Sequence, residues 1–319
     1  MTSPSASVGQ EVATPGRSAR ATDIGYVRAP DGTRLWYRSE GPDLRPPLGA
    51  PALVCCNGVG VSTHFWEPTQ QFFRDRVRTV IWDYRAHGNS DPGPHPEAMT
   101  IEQCADDCLT LLDALGIEQA VLLGHSMGAP TTFEVVRKAP GRVVALVPTL
   151  GTHARAVESF LDLPIASKPL FALSQLVGTR FPSEIGRLVR LVLSVPGTGE
   201  AAKLLGLVHP DLIPKEQLDR YIEHLRKLDL RAYFSLTRSL AGYDASELLR
   251  HLTIPMLVVG GSRDLFTPLR MSAEMAALTP GAELFVIQNG THAALVEQAE
   301  LYCLRVEKFL RDRVGFAWL

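Results

Sequence analysis

A chain of 319 residues with a hydrophobic content of 45% can bury a sizeable core, which excludes disorder for most of its length. Its 32 basic and 34 acidic residues give a formal net charge of -2, so overall charge favours neither nucleic acid nor an anionic membrane surface as a partner. A small molecule is the expected partner, and no segment is apolar for long enough to predict a membrane span.

Residues 1–21 are rich in Ser, Ala, Pro and Gly and contain no apolar run, which predicts a flexible tail rather than a signal peptide. A cytoplasmic location is therefore expected. The 5 cysteines are an odd number without the spacing of a disulfide framework. Cys104 and Cys108 share a predicted helix, but no histidine pair is nearby, so buried thiols are favoured over a metal site.

Apolar runs alternate with helical periodicity along most of the chain. Buried strands are predicted at 51–58, 77–84, 120–126, 143–150, 255–262 and 283–290. Helices are predicted at 100–116, 129–140, 268–280 and 294–313. This alternation predicts an α/β fold with a mostly parallel, doubly wound sheet. Residues 152–248 have only a helical pattern, which predicts a helical cap inserted between core segments 22–151 and 249–319.

The segment GHSMG, residues 124–128, joins a predicted strand to a predicted helix. A serine hydroxyl is a weak nucleophile unless a tight turn presents it to a base and to backbone N–H donors. The flanking glycines leave the room that such a turn needs, and the N-terminus of the next helix favours developing negative charge. The pattern predicts that Ser126 is a catalytic nucleophile.

Among the 9 histidines, His292 is the predicted base. It follows the last predicted strand by a short loop, which brings it to the same edge of the sheet as Ser126. His64, which follows the first glycine-rich loop, is the alternative base. His125 adjoins the nucleophile and is expected to point away from it.

The base needs a carboxylate that orients its ring and stabilises its protonated form. Asp264 comes just past the predicted strand 255–262, and the chain order Ser126, Asp264, His292 is that of the α/β-hydrolase arrangement. Glu158, the first carboxylate after strand 143–150, is the alternative acid.

Acyl chemistry also requires donors for an oxyanion. One is expected from the backbone N–H of Met127, the residue after the nucleophile. The second is expected from Val59, because Gly58 lets the loop after the first predicted strand turn toward the site.

Beyond residue 22 the chain resembles the α/β-hydrolase superfamily over nearly its whole length. Besides GHSMG, it contains DYRAHGNSD (83–91), which is similar to a turn common in that superfamily, although Ala86 replaces the usual glycine. The segments GSRDLFTP and GTHAALVEQ resemble its acid and histidine loops. Many members have His-Gly in the oxyanion loop, where this chain has Asn57 and Gly58.

The asparagine is similar to the 3-oxoadipate enol-lactonase branch, and residues 100–128 also resemble cofactor-free haloperoxidases and perhydrolases. The resemblance implies that Asn57 and Gly58 border the substrate and that no metal or organic cofactor is needed. We expect a serine hydrolase acting on a carboxylic ester or lactone of a small, largely apolar substrate. A C–C bond hydrolase, enol-lactonase or perhydrolase would use the same triad, and a non-catalytic binding protein is the alternative from another class.

Overall fold

A computed structural model describes residues 21–42, 51–159 and 167–316 of the chain. The predicted tail lies outside these residues except for Ala21, which begins the first strand. The strands are β1 (Ala21–Arg28), β2 (Arg34–Gly41), β3 (Ala52–Cys56), β4 (Thr79–Trp82), β5 (Ala120–His125), β6 (Val143–Thr149), β7 (Leu257–Gly261) and β8 (Glu283–Ile287). They form one sheet of 8 strands in the order β1-β2-β4-β3-β5-β6-β7-β8.

From β4 to β8 neighbouring strands pair in parallel, whereas β1 pairs with β2, and β2 with β4, in antiparallel fashion. The predicted mostly parallel α/β fold is therefore confirmed. The hairpin β1–β2 is not among the predicted strands, because neither ATDIGYVR nor RLWYRSEG is a long apolar run; burial nevertheless alternates along both strands. Such alternation is typical of an antiparallel edge with one solvated face.

The helices are α1 (Glu67–Phe73), α2 (Ile101–Ala114), α3 (Gly128–Lys138), α4 (Ala156–Ser159), α5 (Ser167–Arg180), α6 (Pro182–Leu193), α7 (Thr198–Leu204), α8 (Lys215–Lys227), α9 (Leu230–Ala241), α10 (Ser246–Arg250), α11 (Leu269–Leu278), α12 (Ala294–Glu297) and α13 (Ala299–Phe309). A π-helical turn, Leu310–Val314, extends α13. The predicted helix 294–313 is thus divided into α12, α13 and this turn. None of the helices in the described ranges has the length and apolar character needed to cross a membrane.

The core lies on both faces of the sheet. Alternate residues of each parallel strand face opposite sides, so Val54 of β3 belongs to one apolar cluster and Leu53 to the other. Helices α2 and α3 cover the first face, with Leu111 and Phe133 fully buried. Helices α1 and α13 cover the second face. The sheet is therefore held between two helical layers, and its carboxyl edge remains available for a site.

Helices α4 to α10 lie between β6 and β7 in chain order, and we call them the inserted helices. They contact the core at several points: the short helix Thr63–Phe65, which follows β3, contacts α8, and α2 contacts α9. The rings of Phe65 and Tyr221 of α8 have centroids 5.3 Å apart.

All cysteines are buried, free thiols. Cys104 and Cys108 lie on the face of α2 that packs into the core, where burial raises the pKa of the Cys104 thiol. Among the described residues, no group of three or more His, Cys, Asp or Glu side chains is arranged to hold a metal ion.

Candidate active site

Ser126 occupies a strained turn between β5 and α3. Its φ of 55° is left-handed, which is rare for a residue with a side chain. The glycines around it are required by space: a Cβ at Gly124 would lie 2.5 Å from the carbonyl oxygen of Gly128. A Cβ at Gly128 would lie 2.2 Å from the carbonyl oxygen of Cys56. The turn therefore forms only because β5, β3 and α3 approach more closely than side chains permit.

The structure brings the three predicted catalytic residues together. His292 Nε2 lies 3.0 Å from Ser126 Oγ, and His292 Nδ1 lies 2.8 Å from Asp264 Oδ2. A neutral ring that donates its Nδ1–H to the carboxylate presents Nε2 as the acceptor for the serine hydroxyl proton. The arrangement can remove a proton from Ser126 and return it to a leaving group.

Asp264 is buried and fully hydrogen-bonded. Its Oδ1 accepts the backbone N–H groups of Phe266 and Thr267 at 2.8 and 2.9 Å, and its Oδ2 accepts the Thr267 hydroxyl at 2.7 Å. Burial opposes ionisation, but electrostatic attraction to His292 and the hydrogen bonds from His292 and Thr267 outweigh it and hold the pKa of Asp264 below its usual value. A carboxylate held in this way is an anion whose acceptor oxygens have fixed directions.

His125 holds the loop that carries His292. Its Nε2–H donates to the backbone carbonyl of His292 at 2.9 Å, and the two ring centroids lie 4.9 Å apart. Burial lowers the pKa of His125 to about 3, so the ring is neutral at pH 7. Apart from the position of His125 next to Ser126, no sequence pattern indicates this contact.

The loop after β3 lies directly against the nucleophile. A Cβ at Gly58 would sit 2.9 Å from Ser126 Cβ, so glycine permits the close approach. The Asn57 side chain is buried and donates to the carbonyl oxygen of Trp82 at 2.7 Å, which fixes the start of the loop. Among the hydrogen bonds of the described residues, the N–H groups of Val59 and Met127 have no acceptor.

His64 is engaged elsewhere. Its Nδ1 lies 2.7 Å from Ser62 Oγ, and burial, reinforced by the charge of Arg220, lowers its pKa to about 4. Its ring belongs to a cluster with His224 and His87. The ring centroids of His64 and His224 lie 6.0 Å apart, and those of His224 and His87 lie 6.1 Å apart. It is His292 that the structure brings within hydrogen-bond distance of Ser126.

His87 forms a hydrogen bond that holds the loop after β3. Its Nδ1–H donates to the carbonyl of Arg85 at 2.8 Å, and its Nε2 accepts the N–H of Gly60 at 3.1 Å. Burial lowers the pKa of His87, which preserves the unprotonated nitrogen that Gly60 requires.

The alternative acid, Glu158, lies in α4, and its side chain lies outside the described residues.

A family described as having the alpha/beta hydrolase fold matches residues 51–299. The chain belongs to the α/β-hydrolase family. Its matched range contains Ser126, Asp264 and His292 together with the loop after β3, and the identity of the family agrees with the resemblance seen in the sequence.

Relatives of this α/β hydrolase carry several names. RutD of Stutzerimonas stutzeri strain A1501, named as a carbamate hydrolase, is 26% identical over 275 residues, covering 83% of this chain and 94% of RutD. The 3-oxoadipate enol-lactonase 1 of Acinetobacter baylyi is 25% identical, covering 86% of this chain and 91% of that enzyme. The family match and these relatives identify the chain as a hydrolase.

Solved structures share the fold. The enol-lactonase from Burkholderia xenovorans LB400 aligns with a TM-score of 0.70 and 22% identity, covering 90% of this chain and 100% of that chain. The esterase from Exiguobacterium antarcticum aligns with a TM-score of 0.71 and 16% identity, covering 90% of this chain and 99% of that chain.

Proposed function

We propose that this α/β hydrolase cleaves a carboxylic ester or lactone of a small, largely apolar substrate through an acyl-enzyme on Ser126. The observation that carries the proposal is the continuous hydrogen-bonded series from Ser126 Oγ to His292 to Asp264, at 3.0 and 2.8 Å. A serine in this relation to a histidine and a carboxylate is the arrangement for nucleophilic acyl transfer.

In the proposed mechanism Ser126 Oγ attacks the substrate carbonyl carbon while His292 Nε2 takes its proton. The N–H groups of Met127 and Val59 donate to the resulting oxyanion. His292 then protonates the leaving group, and Asp264 stabilises the charged ring in between. Water, deprotonated by His292, attacks the acyl-enzyme carbon, and Ser126 leaves with the proton to regenerate the hydroxyl.

The expectation of an apolar substrate is supported by the groups around the site. The ring of Phe266 lies 5.0 Å from that of His292, and Phe65 lies 5.5 Å from His125. Leu225 and Tyr233, from α8 and α9, pack within 3.6 Å of the position that a Cβ on Gly60 would occupy. We propose that the inserted helices form a cap whose apolar side chains hold the acyl group.

A carbamate or a carboxylated enol-lactone is the second candidate substrate, because the relatives described above are named for these activities. Both contain a carbonyl that the same serine can attack. A C–C bond hydrolase or perhydrolase would also use this triad, whereas a binding protein would turn over none of these substrates.

The test combines labelling with turnover. We expect a fluorophosphonate probe to label the purified protein and its Ser174→Ala variant, whose lost hydroxyl lies on exposed α5, but not Ser126→Ala. For p-nitrophenyl esters and carbamates, an acyl-enzyme that deacylates more slowly than it forms should give an initial burst of p-nitrophenol about equal to the enzyme concentration, and lactones are tested by their steady-state ring opening. Labelling that survives Ser126→Ala would remove the nucleophile assignment.

A further inference from the structure

Glu297 is a buried carboxylate close to the loop that carries His292. It is the last residue of α12 and is only 8% exposed. The proposed mechanism gives it no role. Because a buried carboxylate requires donors for its oxygens, the groups that supply them are held in fixed positions in return. The contacts of Glu297 therefore show which parts of the chain it fixes.

Two of these contacts hold the residue that precedes His292. Glu297 Oε1 accepts the hydroxyl of Thr291 at 2.7 Å, and Oε2 accepts the backbone N–H of Thr291 at 3.3 Å. The hydroxyl oxygen of Thr291 in turn accepts the N–H of Ala293 at 3.1 Å. The backbone on both sides of His292 is thus tied to Glu297, directly or through Thr291.

A third contact comes from the inserted helices. We call residues 205–214, which join α7 to α8, the α7–α8 connection. The backbone N–H of His209 donates to Glu297 Oε1 at 2.6 Å. The ring of His209 faces its own connection, because its Nδ1 accepts the N–H of Asp211 at 3.2 Å. Glu297 is therefore joined to the α7–α8 connection through the backbone of residue 209 and not through its side chain.

The α7–α8 connection lies beside both loops that carry the partners of the candidate nucleophile. Val208 is buried in the apolar cluster that also contains Leu295 of α12. A Cβ on Gly206 would lie 3.8 Å from Cδ1 of Leu265, the residue that follows Asp264. The hydrogen bond to Glu297 therefore belongs to a wider contact between the inserted helices and this edge of the sheet.

We propose that Glu297 is a positioning residue that couples the α7–α8 connection to His292. While the connection is docked, its N–H and the two donors of Thr291 fix the carboxylate, and the carboxylate fixes the loop that directs His292 Nε2 at Ser126. When the connection moves away, Glu297 loses a donor and the loop loosens. The proposal rests on the proposed function for its effect on rate, whereas the coupling itself is a property of the fold.

Proline at position 209 tests the backbone donor. His209→Pro removes the N–H, whereas the matched control His209→Ala keeps the N–H and removes only the ring. Since a misplacement of about 1 Å can cost about 100-fold in rate, we expect His209→Pro to lower kcat for an ester of the panel about tenfold or more with little change in KM. Labelling of Ser126 by the fluorophosphonate probe should slow by a similar factor. His209→Ala should behave like the parent protein.

Hydrogen exchange measures the coupling without any chemistry. Amides in residues 289–297 should exchange at least about tenfold faster in His209→Pro but not in His209→Ala, because the loop opens more often once the donor is lost. Glu297→Gln tests the link from its other end. It should speed exchange in residues 205–214 as well as in 289–297, since coupling acts in both directions. Glu300→Gln, at an exposed position of α13, is its matched control and should keep the parent rates.

Thr291 offers a test by conservative replacement. Thr291→Val removes the hydroxyl that Glu297 accepts and should lower kcat about tenfold through misplacement of His292. Thr291→Ser retains the hydroxyl and should keep the parent kcat. A residue that only stabilised the fold would change the thermal midpoint in these variants without separating kcat from KM.

Parent rates of exchange in residues 289–297 of both His209→Pro and Glu297→Gln would overturn the proposal. So would faster exchange there with unchanged kcat and labelling, because the loop would then loosen without displacing His292. If the parent protein is neither labelled nor active on the panel, the proposed function fails, and the exchange rates still decide the coupling. Thermal unfolding identifies a variant that does not fold, and the variant at the other end of the link then provides the test.

Discussion

The left-handed backbone at Ser126 is stabilised by its neighbours. A non-glycine residue in this conformation costs on the order of 1 kcal/mol, and close packing of β3, β5 and α3 has to offset that cost. Gly128 is the point of closest approach, because only a hydrogen separates its Cα from the backbone of Cys56. The backbone geometry of Ser126 thus depends on Gly124 and Gly128, whose missing side chains permit this packing.

Replacing Gly128 by alanine should lower the free energy of unfolding by about 3 kcal/mol or more, because the new Cβ meets backbone that cannot rotate away. Chemical denaturation measures the change. Gly141→Ala is the matched control: nothing lies within 4 Å of its added Cβ, and its stability should change by less than about 0.5 kcal/mol. Equal stability of the two variants would contradict the close packing.

The Asp264→Asn variant should lose about 10⁴-fold in kcat, because an amide cannot hold His292 in the tautomer that accepts the serine proton. Thr267 and the backbone N–H groups would still hold residue 264 in place, so the fold should survive. Steady-state kinetics on an ester from the panel provides the measurement. Glu158→Gln is the comparison, and a larger loss there would transfer the role of acid to Glu158.

Among individual residues, the sequence predicts the candidate triad but not the contacts that hold it in place. Ser126, Asp264 and His292 each follow an apolar run that forms a strand, and parallel strands carry their carboxyl ends to one edge. The bond from His125 to the His292 carbonyl depends on how two distant loops meet. No local pattern encodes such a contact.

Among the helices and strands, those strands that lie in apolar segments of the sequence are the most predictable. Strands β3 to β8 all fall within predicted apolar runs, because buried parallel strands have apolar residues on both faces. The hairpin β1–β2 is not predicted because neither of its strands is a long apolar run, and helix α1 is not predicted because its 7 residues are too few for a periodic signal. The predicted cap boundaries, 152 and 248, remain predictions about a domain.

The inserted helices bear on substrate choice. Leu225, Leu228 and Tyr233 pack over Gly60, so a substrate carboxylate here would lose water without gaining an ionic partner from these residues. We expect kcat/KM for a neutral ester or lactone to exceed that for 3-oxoadipate enol-lactone by at least about tenfold. Parallel kinetic measurements decide the matter, and an advantage for the carboxylated lactone would favour the enol-lactonase alternative.

For the whole molecule, buried histidines couple stability to pH. Burial lowers the pKa of His64 to about 4 and that of His224 to about 3, against an ordinary value of 6.5. The unfolded chain binds protons at these residues as the pH falls below 6.5, whereas the folded protein does not until about pH 4. The stability that these residues contribute is therefore present above pH 6.5 and is lost as the pH falls toward 4.

Replacing His224 by glutamine should make this loss of stability shallower by up to about 1.4 kcal/mol per pH unit, because one proton fewer distinguishes the unfolded from the folded state. Denaturation curves from pH 7 to about pH 4.5 measure the slope. The exposed His95→Gln variant should keep the parent slope. A His224→Gln slope equal to that of the parent would show that this ring does not drive acid unfolding.

If the proposed function holds, the separation of the candidate triad along the chain makes catalytic competence a late event in folding. Ser126 and His292 are 166 residues apart, and Asp264 and His292 follow β7 and β8, which come after the other six strands of the sheet in chain order. A nascent chain that ends before β8 contains Ser126 but lacks His292, so the proposed mechanism predicts that it hydrolyses nothing. Pairings this distant in sequence also form slowly. The return of hydrolysis during refolding would therefore report when β7 and β8 join the sheet.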